Sequence, residues 1–169
     1  MNATTTTSPS LLAIHGGKPV VNDPDNTAWR WPVFGREEKK AVAAALDLHG
    51  GDLYQEMGLF EKELREYFGC KYALTHNNGT AAIHAAMHAI GLRPGDEVIT
   101  PSYTYWATSL TTRLCGAVPV FADACLSSAN IDPEDIARKI TPRTKAIIVT
   151  HLWGMPCEMD AIMEIARRH

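Results

Sequence analysis

The sequence has no long apolar runs and no concentration of charge of one sign. No apolar stretch approaches the ~20 residues that a membrane-spanning helix requires. The 169 residues carry a formal net charge of −3 and contain no basic run with interleaved aromatic side chains, which argues against a nucleic-acid partner. The chain is nevertheless long enough to bury the core of one domain.

Targeting signals and clustered metal ligands are also lacking. The threonine- and serine-rich residues 1–10 do not have the charged and apolar regions of a signal peptide, so we expect a disordered lead-in. The four cysteines form no Cys-x-x-Cys pair, and we predict reduced thiols in a cytoplasmic protein. His84 and His88 have a spacing that metal ligands use, but no third ligand accompanies them. We therefore predict no metal site and assign both histidines to packing or to the surface.

Strand and helix signals alternate along most of the chain. Strands are predicted at residues 72–75, 97–100, 118–121 and 146–149. Helices are predicted at residues 36–48, 59–68, 80–90, 104–115 and 156–169, and Asp132-Pro133 has the residue types that begin another. The alternation predicts an α/β fold, a mostly parallel sheet with helices on both faces. Pro119 cannot donate a ladder hydrogen bond, so its strand is expected at an edge of the sheet or to be irregular there.

The junction at Asn78-Gly79-Thr80 joins the first predicted strand to an alanine-rich helix. A helix that begins there leaves unpaired backbone N–H groups at the positive end of its dipole, where a phosphate group binds without a basic side chain. A plain strand–helix turn capped by Thr80 is the alternative interpretation. His151, at the carboxyl end of the last apolar strand, is expected to border the same pocket, in a structural hydrogen bond or in catalysis.

Seven segments in one order and spacing carry a resemblance to a known family. They are residues 78–84, 95–99, 101–108, 116–123, 130–133, 140–147 and 151–154. Over about residues 11–169 the chain resembles the N-terminal part of the DegT/DnrJ/EryC1/StrS aminotransferases. These are pyridoxal-phosphate enzymes of the type I aminotransferase fold, and they aminate keto groups of nucleotide-linked sugars or of cyclitols. Residues 14–19 are similar to the aminocyclitol and aminohydroxybenzoate branch of that family.

The resemblance implies a cofactor, a site and partners. Pyridoxal 5'-phosphate needs four things from a protein: a phosphate cradle, an aromatic side chain that stacks on the pyridine ring, a carboxylate at the pyridine nitrogen, and a lysine that carries the cofactor. The resemblance assigns the cradle to Gly79, Thr80 and Ala81, and the stacking ring to Tyr105. Without the family resemblance, Tyr105 and its aromatic neighbours would be predicted to be core residues of the next helix. The resemblance further implies a keto sugar nucleotide or cyclitol ketone as substrate, glutamate or glutamine as donor, and a homodimer in the full-length parent.

Two groups that the family uses do not occur in this chain. The carboxylate and the lysine come later in the family's order, and none of the seven lysines present matches the catalytic one. We therefore expect residues 1–30 to be an N-terminal arm, partly disordered, and residues 31–169 to be the N-terminal part of the large cofactor-binding domain, truncated before the lysine and inactive as a fragment. Residues 50–55 are expected near the active site and dimer interface, or to be a flexible linker.

Other functions stay open at this point. One is a sugar dehydratase of the same family, which uses PLP or PMP and has another residue in place of the lysine. Another is a non-catalytic, cofactor-binding or regulatory homologue. A nicotinamide-binding domain is disfavoured, because no Gly-x-Gly-x-x-Gly follows a predicted strand.

Overall fold

The computed structural model describes residues 12–19, 31–49 and 54–169. It divides the chain into two compact units, residues 1–56 and residues 57–169. The predicted N-terminal arm is described only at residues 12–19, so its disorder stays a prediction. Residues 50–53 of the loop between the first two helices also lie outside the described part of the chain.

The first unit contributes helix α1, which spans Arg36–Leu46. The N–H of Gly35 donates to Oε2 of Glu38 at 2.6 Å, so a first-turn side chain satisfies a backbone group at the helix start. Two glutamates in the first turn complement the helix dipole. No residue of α1 is buried, and its apolar side chains face solvent within the described structure.

The second unit contains a parallel sheet. The elements from its start onward are α2 (Gln55–Phe68), α3 (Gly79–Ala89), β1 (Glu97–Pro101), α4 (Ala107–Leu114), β2 (Val118–Ala122), α5 (Pro133–Lys139), β3 (Thr144–Ile147) and α6 (Met159–Arg168). The strand order is β2-β1-β3, and both pairs are parallel. This confirms the predicted α/β class and puts the strand that contains Pro119 at an edge of the described sheet. None of the described helices is both long and apolar enough to cross a membrane.

Strand β1 is the centre of the core. All five of its residues are buried. Ile99 packs in one cluster with Ile136 of α5 and Ile162 of α6. Because side chains alternate across a strand, Val98 and Thr100 face the other side, where α4 contacts the sheet. Helices therefore cover both faces of the sheet, as the sequence predicted.

The prediction of a strand at residues 72–75 is wrong for the described structure. These residues pair with no strand in the part of the chain that is described. Instead, the backbone N–H and the hydroxyl of Thr75 donate to Oε1 of Glu61 on α2, at 2.8 and 2.9 Å. These hydrogen bonds hold the pKa of Glu61 below its ordinary value. A segment becomes a strand only when a neighbouring strand pairs with it, and the local sequence does not report that neighbour.

Other bounds differ from the predicted ones by up to four residues, the largest difference being the start of α2 at Gln55 instead of residue 59. The helix predicted from residue 104 begins at Ala107, and the helix predicted from residue 156 begins at Met159. The last strand covers Thr144–Ile147, although the N–H of Ile148 still donates to the carbonyl of Ile99 at 2.8 Å. The residues just before both helices are held by distant groups. Thr104, before α4, bonds to Thr150, and the carbonyl of Pro156, before α6, accepts from Nδ2 of Asn130.

A buried carboxylate joins the amino end of β1 to the start of β3. Oε2 of Glu97 accepts from the hydroxyl of Thr141 at 2.5 Å. Oε1 accepts from Nε of Arg143 at 2.9 Å and also from its Nη2. The hydrogen bond from Thr141, followed by those from Arg143, holds the pKa of Glu97 below its ordinary value. The cluster therefore favours the charged carboxylate and fixes two neighbouring strands at one end.

An apolar groove of about 620 Å³ runs along β3 and α6. Its lining includes Ile147 and Val149 from the sheet and Met159 and Met163 from the helix. Because β3 is the other edge of the described sheet, the groove continues an open strand edge. The run at residues 146–149, predicted as a strand, supplies part of this lining.

We predict that Glu97 makes stability depend on pH in acid. Since its folded pKa is lowered, its contribution to the free energy of unfolding is complete above the ordinary glutamate pKa of about 4.3 and is lost as the pH falls through the lowered value. Glu97→Gln should lower the thermal midpoint at neutral pH and flatten its decrease in acid. The midpoint measured against pH tests this, with Glu63→Gln on the exposed face of α2 as control. A Glu97→Gln protein with the parent's acid slope would contradict the prediction.

Candidate functional site

The carboxyl ends of the described strands meet at one edge of the sheet. Because β1 pairs in parallel with both neighbours, Pro101, Ala122 and Ile147 lie towards the same side. The N–H of Ser102 donates to the carbonyl of Ala122 at 2.9 Å, which fixes the segment after β1 to the end of β2. Ligands of parallel α/β sheets bind at this edge, so the predicted site residues should lie close to it.

Helix α3 begins at the same edge. A short connection, residues 90–96, leads from the end of α3 into the amino end of β1, and we infer from it that the N-terminus of α3 lies towards the strand's carboxyl end. Helix α4 packs beside α3 and also begins at that end. At the opposite edge, the turn from α3 to β1 touches the turn from α4 to β2. Gly116 in the second turn has a φ of +77°, and a Cβ there would lie 3.2 Å from Cγ of Pro94 in the first. Glycine is thus required where these turns meet.

The N-terminus of α3 offers backbone donors that the fold does not use. Oδ1 of Asn78 accepts from the N–H of Ala81 at 2.9 Å, so Asn78 is the cap of the helix. The alternative interpretation from the sequence, a turn capped by Thr80, named the wrong capping residue. The N–H groups of Gly79 and Thr80 have no acceptor inside the helix because of their position in its first turn. The described residues supply no other acceptor for them. The first turn also carries no acidic side chain that would compete with an anion.

These donors fit a phosphate group. A Cβ added to Gly79 would meet nothing within 4 Å, and the backbone of Gly79 is not in the left-handed region. The described fold therefore does not itself require glycine there, and the open space lets a ligand approach the backbone closely. The hydroxyl of the half-buried Thr80 adds a further donor. The N–H of Ala81 is available only when the Asn78 side chain releases it.

The aromatic residues after β1 precede α4 rather than packing inside it. Tyr105 is 64% exposed, and its ring centroid lies 5.3 Å from that of Trp106 at a tilt of 46°. Tyr103 and Trp106 are also more than half exposed. The helix begins at Ala107, so the interpretation of these aromatic side chains as core residues of that helix is not supported. Tyr105 lies at the carboxyl edge with its ring accessible.

A buried asparagine, which the sequence did not single out as a site residue, organises the loop after β3. Nδ2 of Asn130 donates to the carbonyls of Met155 and Pro156 at 2.9 and 3.1 Å. Its Oδ1 accepts from the N–H of Leu152 at 3.0 Å. These contacts satisfy the polar atoms of the amide in a buried position. Sequence position carries no signal for them, because the partners are backbone atoms of a distant loop.

His151 lies in that loop and makes the structural hydrogen bond that the sequence suggested. Its Nδ1 accepts from the N–H of Cys157 at 3.0 Å. A neutral imidazole that accepts at Nδ1 carries its proton on Nε2. The Sγ of Cys157 donates to the carbonyl of Thr150 at 3.2 Å, and burial raises the pKa of this thiol. Cys157 is therefore a packing residue rather than a nucleophile.

Metal ligation finds no support in the described residues. No group of three histidine, cysteine, aspartate or glutamate side chains in that part of the chain is placed to hold a metal ion. His84 and His88 lie on α3. The four cysteines are free thiols: Cys70, Cys115, Cys125 and Cys157.

The family model described as the DegT/DnrJ/EryC1/StrS aminotransferase family matches residues 32–169. The chain belongs to this family. It is 50% identical over 110 residues to the GDP-perosamine synthase of Caulobacter vibrioides, and the matched region covers 65% of the chain and 30% of that protein. It is 42% identical over 141 residues to the spore coat polysaccharide biosynthesis protein SpsC of Bacillus subtilis, which covers 82% of the chain and 36% of that protein. The chain thus spans about a third of the length of these relatives.

Solved structures agree on the fold. An aminotransferase from Psychrobacter cryohalolentis is 40% identical with a TM-score of 0.78, over 82% of the chain and 36% of that structure. Bacillus subtilis NtdA with bound cofactor PMP is 34% identical with a TM-score of 0.70, over 80% and 32%. A GDP-4-keto-6-deoxymannose-3-dehydratase is 29% identical with a TM-score of 0.69, over 79% and 36%. The type I aminotransferase fold predicted from the sequence is therefore confirmed.

We predict that the Asn78 cap stabilises α3. Asn78→Ala removes the acceptor for the N–H of Ala81 and should lower the free energy of unfolding by about 1 kcal/mol. Asn78→Asp keeps an acceptor in the same place and is the matched control, with stability close to that of the parent. Denaturant unfolding followed by circular dichroism measures both. If Asn78→Ala were as stable as the parent, the cap would have no energetic role.

Proposed function

We propose that the protein containing this chain transfers an amino group from glutamate or glutamine to the keto group of a nucleotide-linked sugar or a cyclitol, with pyridoxal 5'-phosphate as cofactor. Family membership supports the reaction class, and the similarity to GDP-perosamine synthase supports a sugar nucleotide as substrate. The similarity to NtdA, whose structure holds PMP, supports the cofactor.

One observation of the structure carries the proposal. The N-terminus of α3 presents two backbone N–H groups without acceptors among the described residues, beside a glycine that the fold does not require. It does so at the carboxyl edge of a parallel sheet, the edge where such folds bind ligands. A dianionic phosphate matches this arrangement, since it accepts several hydrogen bonds and is attracted by the helix dipole.

The residues of the chain would have distinct roles. The N–H groups of Gly79 and Thr80 and the hydroxyl of Thr80 would bind the phosphate, joined by the N–H of Ala81 once Asn78 releases it. Tyr105 would stack on the ring and restrict its plane. When bound, the cofactor supplies an electron sink for the amino transfer. The chain's part is to hold and orient that group.

The domain arrangement is part of the proposal. Residues 31–169 form the N-terminal portion of the large cofactor-binding domain, preceded by an arm at residues 1–30. The carboxylate for the pyridine nitrogen and the lysine that carries the cofactor come from outside this chain. By resemblance, Lys145 in β3 holds a structural position, and in the structure its side chain is exposed. A homodimer of the complete protein would assemble the site.

A dehydratase of the same family is the second candidate. The similarity to GDP-4-keto-6-deoxymannose-3-dehydratase supports it, because that protein shares the fold with this chain. By resemblance, the residue that separates the two activities lies outside residues 1–169. Product analysis of the complete protein separates them: an amino sugar supports the transferase, and a deoxy sugar with released ammonia supports the dehydratase.

We predict that the cradle can be weakened without unfolding the protein. Thr80→Val in the complete protein should weaken cofactor binding by about 1–2 kcal/mol, because it removes a hydrogen bond to a charged group and keeps the side-chain shape. Gly79→Val should weaken binding more, since its side chain fills space that the fold leaves open. Absorbance titration with the cofactor measures both. Thr112→Val, the same change at a buried hydroxyl without a partner in the described residues, is the control. Binding equal to the parent in both cradle variants would remove Asn78-Gly79-Thr80 from the site.

We predict that residues 1–169 alone do not catalyse transamination. None of the seven lysines lies where the resemblance places the cofactor-bearing one. The chain would be incubated with pyridoxal 5'-phosphate, glutamate and a keto sugar nucleotide, with the free cofactor as background control. Turnover above that background, together with a borohydride-stable cofactor adduct on one of these lysines, would contradict the domain proposal.

A further inference from the structure

The segment between β1 and α4 carries Tyr105, but few contacts hold its ring. The ring is 64% exposed, and the aromatic neighbour described for it is Trp106, which is itself more than half exposed. Packing of the side chain therefore does not fix the orientation of the ring. Among the described residues, the orientation of the ring is therefore set by the backbone of residues 102–106.

Three hydrogen-bonded hydroxyls hold this backbone. Oγ1 of Thr104 lies 2.9 Å from Oγ1 of Thr108 on α4 and 3.0 Å from Oγ1 of Thr150, which follows β3. Thr108 is buried, and the other two are half-buried. A hydroxyl donates one hydrogen bond while accepting another, so Thr104 can satisfy both neighbours at once. One side chain thus joins the segment to a helix and to the segment that follows β3, 46 residues away.

The backbone is also held on either side of Thr104. Before it, the N–H of Ser102 donates to the carbonyl of Ala122 at 2.9 Å. After it, the carbonyl of Tyr105 accepts from the N–H of Thr108 at 3.0 Å, in the first turn of α4. Between these points Thr104 is the residue whose side chain bonds to another element. It therefore restricts the peptide that immediately precedes Tyr105.

We propose that Thr104 is a positioning residue, whose hydroxyl fixes the segment after β1 so that Tyr105 presents its ring to the cofactor in one orientation. The inference rests on the proposed function, because it requires a cofactor at this edge. Thr104 acts through Tyr105 and does not itself touch the cofactor. Thr150 shares the role, since it anchors the same hydroxyl to the end of β3.

Substitutions of equal shape test the proposal in the complete protein. Thr104→Val removes both hydrogen bonds, Thr150→Val removes one, and Thr104→Ser keeps the hydroxyl. Thr112→Val is the matched control, because it removes a buried hydroxyl on α4 that has no partner among the described residues. Tyr105→Ala gives the effect of losing the ring entirely. The measurements are the absorption and visible circular dichroism of the bound cofactor, its dissociation constant, and the thermal midpoint of the protein without cofactor.

We expect Thr104→Val to move the cofactor's dichroism towards that of Tyr105→Ala and to weaken cofactor binding roughly three- to tenfold, the range for a neutral hydrogen bond. Thr150→Val should do the same to a smaller extent. Thr104→Ser should restore the parent's spectrum, and Thr112→Val should not change it. A purely structural role would lower the thermal midpoint and leave spectrum and affinity unchanged, and that result would overturn the proposal.

The two proposals fail in different ways. If Tyr105→Ala alters the cofactor spectrum but Thr104→Val does not, the positioning role is wrong and the site assignment stands. If Tyr105→Ala itself leaves spectrum and affinity unchanged, the stacking role is wrong and the positioning role is overturned with it. The cofactor-free midpoint separates both results from simple misfolding.

Discussion

The parallel pairing of β1 with both β2 and β3 is the constraint on which the rest of the described structure depends. Parallel neighbours require crossover connections, so the chain returns to the amino edge through a helix before each new strand and ends each strand at the opposite edge. The segments that follow the strands are therefore gathered in one place. An antiparallel β3 would move His151 to the far edge, away from Tyr105 and the start of α3. The candidate site therefore depends on the parallel order of the sheet.

Charge is distributed among the helices in a way that suits this arrangement. Helices α1, α5 and α6 carry acidic side chains in their first turns, which complement their own dipoles. Helices α3 and α4, which begin at the candidate site, carry none. The α3 cap is the neutral amide of Asn78, which satisfies one N–H group without adding charge. The dipole of α3 is thereby left for an external anion, and binding need not rely on a basic side chain.

The fold class could be predicted because its signals are local. Alternating apolar periods report helices and strands, and the cap at Asp132 is present as predicted, with Oδ1 accepting from the N–H of Glu134 at 2.9 Å. The helix start at Asn78-Gly79-Thr80 has a local signal as well, and the family resemblance assigned the cradle to residues 79–81. What failed depends on distant partners: a strand at residues 72–75 needs a neighbouring strand, and Thr104, predicted inside the helix, precedes α4 and bonds to Thr150, 46 residues away. Asn130 was missed as a site residue because its partners are backbone atoms 22 to 26 residues ahead.

The two edges of the sheet are held by different kinds of interaction. At the amino edge, Glu97 is clamped by the charged Arg143 and by a hydroxyl. At the carboxyl edge, the segments around Tyr105 and His151 are held by neutral groups, the hydroxyl of Thr104 and the amide of Asn130. Neutral hydrogen bonds contribute only about 1 kcal/mol each, but they are directional and add no net charge. They can therefore fix the walls of the proposed anion site without competing with the field of helix α3, which an ion pair in the same position would do.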